Sequence, residues 1–175
     1  MRRFDERTAE CRVFTFKEGA LSALAHDLEL RVTHFHVEVG DDLSITASFD
    51  ATSLVVLHAL DKGRATRALS EADKKKIART AADEVLRARQ HPEIHFRSAP
   101  ATPAGEGYHL RGTLTLCGRS RPLELFTRRE GGRQLTEATL LQPDFGIVPY
   151  RALLGTLRLR PEVKILVALP WPDSV

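Results

Sequence analysis

Cysteine is scarce in this sequence, which has only Cys11 and Cys117 among its 175 residues. A small secreted protein that depends on disulfides usually carries four or more cysteines, so a disulfide scaffold is excluded. The number of cysteines still allows one disulfide bond between these two residues. Because nothing else indicates an oxidising compartment, we predict two free, buried thiols.

Long apolar runs are also missing, and none of the runs present is long enough to cross a bilayer. The N-terminal Arg2-Arg3 pair is followed by Asp5 and Glu6 rather than by the apolar core of an export signal. These features predict a cytoplasmic protein without an integral membrane segment. The net charge of +3 is a mild excess, although the pI is about 9.1, so no nucleic-acid partner is expected.

Local catalytic motifs are absent: there is no G-x-S-x-G, no H-E-x-x-H and no phosphate-binding glycine loop. We therefore predict no catalytic residue and a protein that is not an enzyme. Catalytic triads need not be local in sequence, so a small histidine-dependent enzyme or metal-binding protein using His26, His34 and His36 is the alternative. Their spacing matches no zinc pattern, and no metal site is predicted.

What the sequence does contain is alternation of apolar and polar residues with the period of a β-strand. It is clear in Leu110–Phe126, which reads as two strands joined by a turn at Arg119-Ser120-Arg121, between Gly118 and Pro122. About eight such segments, with turns at short spacing and no linker, predict one domain over residues 1–175. They favour an antiparallel β-barrel large enough to enclose a small ligand.

Three interruptions of the alternation carry structural information. The apolar phase changes between Leu28–Val32 and Phe35–Val39, which predicts a bulge or bend near Thr33-His34. The small residues from Ala20 to Ala25 favour a single helical turn. Ser70 starts a segment without Gly or Pro, and apolar residues recur at helical spacing on one face, so an amphipathic helix is predicted over residues 71–89.

Four segments, in order along the chain, resemble the YceI family. They are His26-Asp27 before a long strand, His91-Pro92-Glu93-Ile94-His95-Phe96-Arg97-Ser98, the pattern G-x-L-T-L-x-G-x-x-x-P-L-x-L from Gly112 to Leu125, and Asp144-Phe145-Gly146 followed by the strand from Gly155 to Leu169. The resemblance implies a lipocalin-like barrel with a helix and an apolar tunnel for a polyisoprenoid or similar amphipathic lipid, stored or transported. Many members of that family are periplasmic. Residues 61–90 depart from the common family form.

The candidate lipid contacts are the apolar residues expected to face inward: Phe14, Phe16, Leu28, Leu30, Ile94, Phe96, Leu114, Leu116, Leu157, Leu159, Val163 and Ile165. From the residues alone, a solid core is the default interpretation of such faces; the resemblance favours a tunnel instead. His26, Arg119 and Arg121 are candidates for contact with a polar head group, because guanidinium groups suit phosphate oxygens. No cofactor is implied beyond a bound isoprenoid lipid or quinone. A homodimer is left open, as is a role for the helix in binding a partner protein.

Overall fold

The computed structural model describes residues 1–18 and 25–171, which form fourteen antiparallel β-strands and one α-helix. The helix α1 spans Glu71–Thr80. The strands are β1 (Arg2–Asp5), β2 (Glu10–Glu18), β3 (Asp27–Val32), β4 (Phe35–Val39), β5 (Ile45–Asp50), β6 (Leu54–Asp61), β7 (Arg64–Thr66), β8 (Glu93–Ser98), β9 (Thr102–Ala104), β10 (Gly107–Leu116), β11 (Arg119–Glu130), β12 (Arg133–Leu141), β13 (Arg151–Ala152) and β14 (Leu157–Pro170).

The strands form one curled antiparallel sheet, shaped as a half-barrel, in the order β1-β4-β5-β8-β10-β11-β12-β14-β2-β3-β6-β7. The short strands β9 and β13 pair with β10 and β14. The predicted mainly β class is confirmed, whereas the predicted count of about eight strands is too low. Strands of two to four residues show no readable alternation, and bends divide longer segments into two strands each.

The bend predicted at Thr33-His34 is confirmed, because these two residues separate β3 from β4. The adjacent segment of the same chain also bends, at a 3-10 turn over Ala51–Ser53 between β5 and β6. Thr33 N–H donates to the carbonyl of Ser53 across the two bends, at 3.1 Å. As a result, Leu28–Val32 and Phe35–Val39 both place their apolar residues on the inner face despite the change of phase.

The β10–β11 hairpin turns at Cys117-Gly118, two residues earlier than predicted. Both residues have positive φ angles, 49° and 73°, as a two-residue type I′ turn requires. Arg119, Ser120, Arg121 and Pro122 therefore belong to β11 and pair with residues of β10. The prediction followed the polar residues, but glycine's tolerance of positive φ decides where the chain reverses.

The helix begins as predicted and ends earlier than predicted. Ser70 caps it: its hydroxyl accepts from Asp73 N–H at 3.1 Å, and the Asp73 carboxylate accepts from Ser70 N–H at 3.2 Å. After Thr80 the backbone widens into a π turn over Ala81–Val85, and Arg87 adopts a positive φ of 50°. Regular α-helix thus stops nine residues before 89, and the widened turn directs Val85 and Leu86 towards the inner face of the sheet.

Apolar residues on the inner face form a main core and a smaller cluster beneath α1. The small cluster consists of Leu28, Leu30, Val56 and Ala59, and Ile77 of the helix packs against it. Both cysteines are buried and free, as predicted. The helical turn expected over Ala20–Ala25 lies, apart from Ala25, outside the described residues.

Candidate functional site: an apolar cavity

The inner face of the curled sheet encloses a cavity of about 270 Å³. A single buried water needs only about 10–15 Å³ by the same kind of measure, so this space is far larger than a packing defect. The inner face of the sheet therefore surrounds a space and does not pack on itself.

Apolar side chains dominate the cavity wall. Its polar residues are confined to Thr15, Asp50, Thr136, Gln142 and Tyr150, while the remainder are aliphatic or aromatic apart from the thiol of Cys11. The Gln142 amide is already engaged, because its Nε2 donates to the Arg160 carbonyl at 3.0 Å. The Thr15 hydroxyl is buried and has no hydrogen-bond partner within the described residues. Such a wall suits a largely hydrocarbon ligand with few polar groups.

Burial of the inner face changes along three neighbouring strands, β12, β14 and β2. At one end Gln134, Leu169 and Cys11 are 5%, 8% and 3% exposed, and the last two line the cavity. Towards the other end Leu140, Val163 and Thr15 line the cavity but are only half-buried. We call the first the closed end and the second the open end.

Two segments outside the sheet complete the wall. Ala81, Val85 and Leu86 contribute from the π turn after α1. Residues Gln142–Tyr150, which leave β12 through a 3-10 turn, contribute mainly Phe145, Ile147 and Tyr150. Irregular backbone thus closes gaps that no regular strand covers.

Two glycines of the sequence patterns position this wall. Gly112 lies beneath Phe96, where an added Cβ would approach the ring to 2.6 Å, so the aromatic ring lies flat across β10. Phe96 is one of the wall residues. The guanidinium of Arg119 lies directly against Gly146 at the end of the 3-10 turn. The patterns quoted above therefore correspond to contacts that hold the wall in place.

The structure places most of the predicted lipid contacts on the cavity wall. Those that line it are Leu30, Ile94, Phe96, Leu114, Leu116, Leu159, Val163 and Ile165. They come from β3, β8, β10 and β14, which are far apart in sequence and are brought together by the curl of the sheet. Their contact with a lipid stays a prediction.

Four predicted residues do not line the cavity and are corrected here. Phe14 and Phe16 lie in the opposite phase of β2 from Val13 and Thr15, which do line it. The two aromatic rings suggested the inward face, but Val13 pairs with the buried Leu30 and so faces inward. Leu28 is on the inner face but is covered by the helix, and Leu157 pairs with Ala152 of β13 beyond the wall.

The sequence interpretation also missed several wall residues. Cys11, Val13 and Thr15 were overlooked because β2 alternates between apolar residues on both faces. The pairing of Val13 with Leu30 and Ile165 would have been needed to choose the phase. Phe145 and Tyr150 lie in irregular backbone, where no periodicity exists to indicate direction.

The three head-group candidates do not form one site. The alternation of β11 places Arg119 and Arg121 in phase with the inward Leu123 and Leu125, beyond the wall, where both are exposed. Half-buried His26 lies just before β3. No hydrogen bond or ion pair within the described residues joins His26 to either arginine. Arg119 and Arg121 thus lie near the cavity, and their binding of a head group stays a prediction.

The histidines of the alternative interpretation do not converge. His26 and His34 lie at opposite ends of β3, whose six residues keep them about 20 Å apart or more. Within residues 1–18 and 25–171, no three His, Cys, Asp or Glu side chains are arranged to hold a metal ion. His36 is exposed on β4. The structure gives this alternative no geometric support.

The thiol on the cavity wall is not an activated nucleophile. Burial raises the pKa of Cys11 to about 12, so the thiol stays protonated at neutral pH. Burial also raises the pKa of Cys117, whose Sγ donates to the Leu86 carbonyl at 3.2 Å. Both thiols act as small apolar groups.

The YceI-like domain family matches residues 8–170 of the chain. This match covers every strand from β2 to β14. The chain belongs to the YceI-like family. No curated protein matched the chain in a sequence search.

Solved structures of other bacterial proteins show the same fold at low sequence identity. BcnA of Burkholderia cenocepacia has a TM-score of 0.64 at 18% identity, with 94% of this chain and 97% of that chain covered. A polyisoprenoid-binding domain from Saccharophagus degradans, implicated in plant cell wall breakdown, has a TM-score of 0.59 at 11% identity, with 92% and 91% covered. The YceI protein of Campylobacter jejuni has a TM-score of 0.55 at 10% identity, with 83% and 85% covered.

In the described part of this chain, no helix is both long and apolar enough to span a membrane.

Proposed function

We propose that this YceI-like protein binds a polyisoprenoid or similar amphipathic lipid in its apolar cavity, for storage or transport and without chemical change. The observation that carries the proposal is the cavity of about 270 Å³ with an almost wholly apolar wall. Each methylene-sized group that enters it from water contributes about 0.8 kcal/mol, so a prenyl chain can be held without any strong polar contact.

The family and its neighbours support the same class of ligand. One structural neighbour is itself a polyisoprenoid-binding domain. The closed end suits the apolar end of such a chain, because Cys11 and Leu169 seal it. The half-buried end, with Thr15 and Tyr150 on the wall, suits the polar end of the lipid.

Solvent extraction of the purified protein followed by mass spectrometry tests the proposal. An all-trans prenyl alcohol is added to a second sample, so that the result does not depend on the lipids of the expression host. We expect a prenyl-type lipid at close to one molecule per protein. An extract without lipid from both samples would contradict the proposal.

A matched pair of variants assigns the lipid to the cavity. Ala138 lines the cavity on β12, and its neighbour Thr139 is exposed on the other face. Ala138→Trp fills part of the cavity. Overpacking costs about 1–3 kcal/mol when the lipid is bound, so the variant should bind the lipid roughly tenfold more weakly. Thr139→Trp adds the same side chain outside and should retain lipid as the wild type does. Equal loss in both variants would place the lipid elsewhere.

A further inference from the structure

Exposed apolar side chains are concentrated at the open end of the cavity. Within the described residues, the large apolar residues with exposed side chains are Met1, Val55, Phe126, Leu141, Val148 and Leu154. Half of these six lie within the fourteen residues from Leu141 to Leu154. Leu154 is fully exposed and Val148 is 73% exposed. Exposed apolar residues usually occur singly on a protein surface, so three of them in one short segment indicate a contact surface.

This segment belongs to the rim of the cavity. Val148 lies between Ile147 and Tyr150, which both line the cavity. Leu154 lies in the turn between β13 and β14, and the Tyr150 carbonyl accepts from the N–H of Leu159, another wall residue, at 3.0 Å. The exposed side chains of Val148 and Leu154 therefore project from the backbone that covers the open end. We call residues 141–160 the rim segment.

The rim segment is also basic. It contains Arg151, Arg158 and Arg160 against a single acidic residue, Asp144. Arg151 lies directly opposite Arg158 in the β13–β14 ladder, an arrangement in which like charges destabilise each other. Arg158 has one acidic partner, Glu18, at 3.4 Å. Within residues 1–18 and 25–171, neither Arg151 nor Arg160 forms an ion pair. An anionic surface would relieve this repulsion.

We propose that the rim segment docks the open end of the cavity onto the surface of a bilayer that contains anionic lipids. Val148 and Leu154 would enter the interfacial region, and Arg151 and Arg160 would lie at the level of the phosphates. The inference rests on the proposed function, because docking at this end would let a prenyl chain pass between membrane and cavity without crossing water.

Flotation of the purified protein with vesicles tests the proposal. One set is phosphatidylcholine alone, and the other contains about a third phosphatidylglycerol, at low and high salt. We expect binding to the anionic vesicles that weakens as salt is raised, because salt screens the arginines. No binding to either set would overturn the inference, as would equal binding to both.

Substitutions at the rim identify the contact surface. Leu154 has a positive φ of 58°, which asparagine tolerates better than leucine, so Leu154→Asn should fold normally. It should reduce the partition coefficient about tenfold. The control is Phe126→Asn, since Phe126 is 63% exposed on the outer face of β11. Val148→Asn repeats the test at a second position.

Charge reversal provides an independent measurement. Arg151→Glu should reduce binding to anionic vesicles at least about tenfold and leave the weak binding to neutral vesicles unchanged. The control is Arg97→Glu, at an exposed position on the outer face of β8. Equal effects at positions 151 and 97 would contradict the docking surface.

Two further outcomes separate the inference from its alternatives. If Leu154→Asn changes the oligomeric state, measured by sedimentation, and not vesicle binding, the rim is an interface between two copies of the chain and the inference is wrong. If the protein extracts with a bound lipid but does not bind vesicles, the proposed function stands and the docking surface does not.

Discussion

The two ends of the cavity are built from the same alternating strands but are packed very differently. At the closed end, Cys11 and Leu169 are 3% and 8% exposed. At the open end, Thr15 and Val163, which lie four and six residues away on the same strands, are half-buried. The strand period does not distinguish them. What differs is the cover: residues of regular strands line the closed end, whereas irregular segments that include Leu86 and Tyr150 line the open end.

This comparison indicates that the two ends of the core have different roles. Tight packing at the closed end supplies stability, because removing atoms there leaves a space that the structure cannot collapse. The loosely covered end sacrifices packing and retains space for a ligand. If this is correct, equivalent substitutions at the two ends should have unequal effects.

The largest difference is expected for leucine truncation. Leu110→Ala at the closed end should lower the free energy of unfolding by about 3 kcal/mol, since Leu110 is 3% exposed and buried against its neighbours. Leu159→Ala, at the open end, should cost less than about 1.5 kcal/mol, because the Leu159 side chain is only half-buried and its truncation removes less apolar burial. Urea denaturation of the lipid-free protein measures both. Equal losses would break the distinction between the ends.

A smaller effect is expected from the titration of Cys11 at the closed end. The folded pKa of about 12 lies above the ordinary value of 9.0, so the unfolded thiol ionises first as the pH rises. The thiol's contribution is complete below pH 9 and is lost between pH 9 and pH 12. At pH 10 the loss should be roughly 1–2 kcal/mol relative to pH 7.

Cys11→Ala isolates this contribution, because other groups also titrate in that range. The variant should lose roughly 1–2 kcal/mol less stability than the wild type between pH 7 and pH 10. Denaturation curves at the two pH values provide the comparison. An identical pH dependence would show that water reaches the closed end.

The smallest effect is expected at the helix that precedes the π turn. Ser70→Ala removes the hydroxyl that accepts from Asp73 N–H and should weaken α1 by about 1 kcal/mol. Hydrogen exchange should accelerate in residues 74–80 and not at the closed end. Ser48→Ala on β5 is the control and should stay within about 0.5 kcal/mol of the wild type. Accelerated exchange both in residues 74–80 and at the closed end would show that the helix and the closed end unfold together.

Much of the fold was predictable from local patterns. The bend at Thr33-His34, the cap at Ser70 and the inward phase of β14 all follow from period and residue type. The site was predictable in part, because eight of the twelve expected residues line the cavity. Phe14 and Phe16 failed because both faces of β2 carry apolar residues, so only its neighbours decide which face is inward. Leu28 failed because the helix covers it.

The sequence by itself determined the strand periodicity, the helix start and the patterns that resemble the YceI family, since these depend on a few neighbouring residues. Only the tertiary structure decided that the inner face surrounds a space instead of packing on itself. Whether a space remains depends on how far the curl of the sheet holds β10 from the paired strands β2 and β14. It also depends on Leu86 and Tyr150 reaching the wall from irregular backbone. A period of two specifies neither the distance between facing strands nor the irregular segments that cover the cavity. The same leucines are therefore compatible with a solid core or a binding cavity.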